Sequence, residues 1–158
     1  MAGTQITAEP GIPQILITRE FNSPREVLFR AHTDPDLLVQ WLGPRWLTID
    51  RFDPRHGGTW RYIDWDPVSG EYSFRGVFHG TPSPGGIVQT FEYEGRPGRV
   101  SLQTVTFTEH GSTTLLSQAT VFQSVEDRDW ELESGMLLGA TDSLECLDEL
   151  LARITPVL

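Results

Sequence analysis

From Gln14 the chain reads QILITREF, with Ile15, Ile17 and Phe21 on one side of an extended segment and Leu16, Thr18 and Glu20 on the other. A period of two is the pattern of a strand. Arg19 shares the Ile15 side, where a strand end with the guanidinium head in water is expected. Ser23-Pro24 then opens a short helix. Ser23 is placed to cap it, Pro24 has the φ of a first turn, Glu26 sits where the dipole favours an acid, and Val27, Leu28 and Ala31 form the apolar side. Thr33-Asp34-Pro35 repeats the device for a second short helix through Leu37, Leu38 and Trp41, stopped by Gly43-Pro44.

From about residue 46 to 123 the pattern is strand and turn, with turn signals spaced for consecutive antiparallel hairpins. Tyr72, Phe74 and Phe78 share a face around Gly76, and Ile87, Gln89, Phe91 and Tyr93 oppose Val88, Thr90, Glu92 and Glu94. Between Leu102 and Val105 the apolar parity switches, for which a bulge is the expected cause. The last segment reads as one long helix. Ser124 and Asp127 have capping-box spacing, and Leu137, Ala140, Leu144, Leu147, Leu151 and Ile154 recur at steps of three and four until Pro156. Gly135 and Gly139 interrupt it. They signal either a close approach or break, or open space beside Met136 and Ala140.

The order is therefore one strand, two short helices, six strands and a long helix. It predicts an α+β helix-grip architecture, a curved antiparallel sheet of about seven strands wrapped around the C-terminal helix. Residues 1–13, with Gly3, Pro10, Gly11 and Pro13, read as a flexible arm, and 14–156 as a single domain. A sheet bent around one helix tends to leave a cavity between them, where ligands bind.

Composition narrows the function. The net charge of −10 over 158 residues argues against nucleic acid and anionic lipid. All 12 basic residues are Arg, so chemistry that needs a lysine is excluded: Schiff bases, pyridoxal phosphate and the P-loop. The single Cys146 excludes an internal disulfide and reads as a packing residue. No secretory leader or membrane-length apolar run is seen, and a cytoplasmic location is expected. His32, His56, His79 and His110 lack metal-ligand spacing and are expected at the surface, and no nucleophile or dinucleotide motif is present. No metal, cofactor or catalytic set is expected.

What remains is an aromatic set: Trp41, Trp46, Trp60, Tyr62, Phe74, Phe78, Phe91 and Tyr93. These residues either line a pocket for a flat apolar ligand or fill the core. Met136 and Ala140 are candidate wall residues, and Gln89 is a candidate hydrogen-bonding group on the Phe91 face. Arg19, Asp64 and Thr104 are further polar positions that could face inward.

The segments NSPREVLFRAHTDPDLLVQW, LGP, FDPRHGGTWRY, RGVFHG, VQTFEYEG and VEDRDWELESGMLLG, in this order, resemble the START-like helix-grip (SRPBCC) superfamily. Within it the chain is similar to the branch named for the activator of heat-shock-protein-90 ATPase, over about residues 14 to 154. Gly57-Gly58-Thr59-Trp60 and Ser134-Gly135-Met136 are the more specific pieces. The resemblance implies the fold closely and the function loosely, since this fold hosts lipid carriers, hormone receptors, polyketide cyclases and co-chaperone domains. The leading expectation is non-catalytic binding of a small hydrophobic, aromatic or lipid-like molecule between sheet and helix. The alternatives are a co-chaperone-like interaction domain and a cyclase or aromatase using the same cavity. A single domain offers no second segment for a two-site grip, which weighs against a chaperone partner. A homodimer through a sheet face or edge stays open.

Overall fold

A computed structural model describes residues 3–43 and 46–156; Pro44 and the first two residues of the expected arm lie outside them. The elements run β1 (Gln5–Thr7), β2 (Gln14–Phe21), α1 (Arg25–Thr33), α2 (Pro35–Leu42), β3 (Thr48–Phe52), β4 (Thr59–Asp66), β5 (Gly70–Val77), β6 (Gly86–Tyr93), β7 (Val100–His110), β8 (Thr113–Val121), α3 (Val125–Glu133) and α4 (Met136–Ile154). The strands form one antiparallel sheet of 8 strands in the order β1-β2-β8-β7-β6-β5-β4-β3.

The eighth strand is β1, in the segment expected to be a loose arm. It pairs with the outer edge of β2, Ile6 opposite Ile17, while Arg128 of α3 donates to the carbonyls of Glu9 and Ile12. Backbone hydrogen bonds and one buried guanidinium hold a segment whose side chains carry little apolar signal. No bulge occurs in β7: Leu102 pairs with Thr90 and Val121 in unbroken register. The parity switch arises because Leu102 and Val121 are cross-strand neighbours on the exposed outer face, while the inward position between Ser101 and Val105 is taken by polar Gln103.

Asp34 caps α2 by accepting from the Asp36 N–H, and Ser124 caps α3 by accepting from Asp127. Ser23 does not cap α1; its hydroxyl pairs with that of Thr155 at 2.6 Å, at the far end of α4. The long C-terminal helix is broken. Gly135 adopts φ +85°, a left-handed conformation open to glycine at little cost, and α4 restarts at Met136.

Inward side chains of the sheet fill the core with α1, α2 and the second half of α4, through residues such as Phe21, Leu28, Leu38, Phe107, Leu116, Leu147 and Leu151. Arg19 is 6% exposed rather than facing water. Its guanidinium reaches across from β2 to Glu145 at 2.9 Å and Asp148 at 3.3 Å on α4, which supply the anionic partners its burial requires. Burial along α4 is uneven: Leu144, Leu147, Leu150 and Leu151 are buried, whereas Met136, Leu137 and Ala140 in its first turns are only partly so.

Two glycines behave oppositely. A Cβ on Gly76 would lie 2.0 Å from the Thr90 carbonyl oxygen and 2.6 Å from the Trp60 ring, whereas one on Gly139 would meet nothing within 4 Å. Gly76→Ala is expected to destabilise by about 1–3 kcal/mol through overpacking, and Gly139→Ala to stabilise by up to about 1 kcal/mol through helix propensity. Chemical denaturation of both variants checks this, and equal stabilities would contradict the packing described.

Candidate functional site

Where the first turns of α4 stand off the sheet, a cavity of about 910 Å³ opens between them. Its floor is the inward face of the sheet, whose cross-strand rows follow from the register. Tyr62, Phe74 and Tyr93 form one row, and Trp60, Gly76, Phe91 and Ser101 the next. Phe78, Gln89, Gln103, Thr120 and Ile15 form a third, and Ile87, Val105, Gln118 and Ile17 a fourth. The floor thus runs from aromatic through amide-bearing to aliphatic. Above it lie Met136, Leu137, Gly139, Ala140, Ser143 and Leu144 of α4, and Leu38 and Trp41 of α2 close one side.

Every candidate pocket residue from the sequence lines this cavity except Trp46 and Trp60. Trp41 is fixed by its indole N–H, which donates to the Ala31 carbonyl at 2.9 Å. Trp46 is exposed and stacks edge-on against Trp65, with ring centres 5.2 Å apart, so it lies outside the cavity. Trp60 is 1% exposed: its ring crosses Gly76, where no side chain obstructs it, and packs against Tyr62 at 4.5 Å and Phe91 at 5.5 Å. It supports the aromatic wall from behind. The wall itself is continuous, with Phe74 packed between Phe91 at 5.2 Å and Tyr93 at 5.5 Å, and Tyr93 stacked on Trp130 of α3 at 6.0 Å.

Sequence reasoning missed His32, Gln103, Gln118, Thr120, Trp130 and Glu131, all of which line the cavity. His32 was expected at the surface. Instead it packs between the rings of Trp41 and Phe107, at 4.8 and 5.0 Å, with Nδ1 2.7 Å from the Leu28 carbonyl. Burial pushes its pKa down to about 4, so at neutral pH the ring is uncharged. No Arg appears among the described lining residues, whereas Asp64, Asp66, Glu71, Glu131 and Glu133 do. Burial pushes Tyr62 upward, and Tyr72 is pushed up to about 12 by burial and then by the Asp64 carboxylate. Glu131 is pushed up to about 7 by burial alone. Among the described residues no cluster of His, Cys, Asp and Glu could hold a metal ion, and no helix is long and apolar enough to cross a membrane.

The sequence matches the family described as "Activator of Hsp90 ATPase homolog 1-like protein" over residues 22–152. The chain belongs to that family. A search of curated proteins gives no significant match. Among solved structures, protein Ms6760 from Mycobacterium smegmatis is similar at 23% identity and TM-score 0.86, covering 100% of this chain and 99% of its own. A Rhodobacter sphaeroides protein is similar at 25% identity and TM-score 0.82, covering 95% of this chain and 100% of its own. An Arthrobacter aurescens protein aligns with TM-score 0.85 at 20% identity over 94% of this chain and 91% of its own. The helix-grip fold of this activator-like family is thereby shown for the chain, with eight strands rather than about seven.

The half-buried Glu131 gives a pH signature. With a raised carboxyl pKa, the folded state keeps a proton on Glu131 that the unfolded chain has released, so stability is lost as pH rises from the ordinary carboxylate range through about 7. Glu131→Gln removes that loss. The variant is expected to match the parent in Tm near pH 4.5 and to exceed it at pH 7.5. A variant less stable than the parent at pH 7.5 would show that the carboxylate is well solvated.

Proposed function

We propose that the chain binds a small, flat, hydrophobic molecule between the inner sheet face and the first turns of α4, without transforming it. The observation that carries this reading is the 910 Å³ cavity with its continuous aromatic wall. Ligand pockets commonly enclose roughly 300–1,000 Å³ and combine apolar walls with a few polar groups. Offset aromatic contacts of the kind already made by Phe74, Phe91 and Tyr93 extend naturally to a planar ligand. A planar ligand laid against these apolar walls gains dispersion contacts along its whole face.

Turnover in the manner of a cyclase would call on an acid or base beside the bound molecule. Among the titratable groups that line the cavity, Tyr62 and Glu131 are shifted by burial alone and Tyr72 has the Asp64 carboxylate beside it; it is the continuous aromatic wall that favours binding over catalysis. The co-chaperone alternative rests on the family description, not on a feature of the cavity.

Ala140 lies over the floor on α4. Ala140→Trp is expected to weaken binding of Nile red, an uncharged planar dye, by roughly tenfold or more, about 1.4 kcal/mol or more, while Tm stays within a few degrees of the parent. Fluorescence titration with a thermal melt checks both. Undiminished dye binding in a folded variant would place the ligand elsewhere.

A further inference from the structure

The centre of the cavity floor is polar, which an all-apolar cargo does not explain. Gln89, Gln103 and Thr120 stand side by side on β6, β7 and β8, and Gln118 lies two residues from Thr120 on the same face. Gln89 Nε2 donates to Gln103 Oε1 at 3.1 Å. That bond fixes both amides and leaves an acceptor on Gln89 and a donor on Gln103 for something else. Among the described residues, the Gln118 amide and the Thr120 hydroxyl have no hydrogen-bond partner in the protein, although Thr120 is only 3% exposed. Facing the cavity, these groups are available to a ligand that brings the complementary donor or acceptor, and a ligand that covered them without one would incur a cost. Three amides in one patch would be a poor choice for a purely hydrocarbon ligand.

Electrostatics narrows the chemistry. Among its described lining residues the cavity offers no guanidinium to a carboxylate or phosphate, and carboxylates of Asp64, Asp66, Glu71 and Glu133 border it. An anionic head group would enter against like charge and find no cationic partner among the described lining residues. We infer that the cavity selects a planar ligand bearing an uncharged carbonyl or hydroxyl group, which docks on Gln103 and Gln118, and that it rejects the corresponding carboxylate. This inference rests on the proposed binding of a flat ligand and specifies its polar end. It separates such ligands from fatty acids and acyl carboxylates, which an apolar cavity alone would admit.

The fluorene series isolates the polar group on one skeleton: fluorene, 9-fluorenone, 9-hydroxyfluorene and fluorene-9-carboxylate. Affinities for the full chain would be measured by competition against Nile red, with Gln103→Leu and Gln118→Leu as near-isosteric variants. The expected order in the parent is fluorenone and hydroxyfluorene roughly tenfold tighter than fluorene, and the carboxylate weaker than fluorene. Each variant should compress the fluorenone–fluorene gap while keeping its affinity for fluorene, a readout that unfolding cannot imitate. Equal binding of fluorene and fluorenone by the parent would overturn the inference and leave the pocket standing. The same holds if the carboxylate binds as tightly as the ketone, or if the gap survives both variants. Failure of Nile red and all four fluorenes to bind would instead remove the proposed binding function, and the inference with it.

Discussion

One helix gripped at one end governs this molecule. Leu144, Leu147, Leu150 and Leu151 bury the second half of α4 in the sheet. The Arg19 guanidinium then ties it to β2 through Glu145 and Asp148. Ser23 and Thr155 join its far end to the start of α1, and Ser143 donates to the Leu42 carbonyl of α2. Among the described residues, no ion pair of this kind anchors the first turns. There the side chains shrink to Ala140 and Gly139, and Gly135 turns the chain away from α3. The first turns stay only partly buried, and the cavity is the space between them and the floor.

The same division sorts the chemistry. Around the anchored half, the buried Arg19 charge meets two carboxylates that remain open to solvent, and they offset the cost of its desolvation. Around the raised half, the ionisable groups are held without a charged partner among the described residues and turn neutral instead. Glu131 keeps its proton to near neutrality and His32 gives its proton up, both because burial disfavours the charged form. At neutral pH a cavity bordered by acids therefore presents a neutral imidazole, three amides and a wall of rings. α3 and the β6–β7 turn brace this end, Arg96 resting 4.2 Å over the Trp130 ring and Arg99 lying 3.4 Å from the buried Asp127 carboxylate.

Much of the architecture was legible because period-two and period-3.6 patterns report burial directly. The alternation through Phe74 and Phe78, and through Ile87, Phe91 and Tyr93, located the inward face correctly, and the step of three and four from Leu137 to Ile154 located the stripe of α4. What escaped notice did so for two reasons. Backbone-driven order leaves no side-chain pattern, so β1 and the carbonyls gripped by Arg128 read as a loose arm. Polar residues on an inward face break the pattern that identifies the face. Gln103 made β7 look bulged when its register is continuous, and Gln118 and Thr120 carried no signal at all. His32 was misread because its burial depends on Trp41 and Phe107, which come from different elements. The irregularity mistaken for a bulge was the strongest sequence trace of the site's polar centre.

The central claim is that a ligand sits against the inner sheet face beneath the raised turns of α4. Methyl chemical-shift mapping by NMR on addition of fluorenone tests it most directly, because β7 and β8 carry methyl groups on both faces. The account predicts that Ile87, Val105 and Leu137, which line the cavity, shift with ligand while Leu102 and Val121 on the outer face stay still. Shifts centred on Leu102 and Val121, with the cavity methyls unmoved, would contradict it.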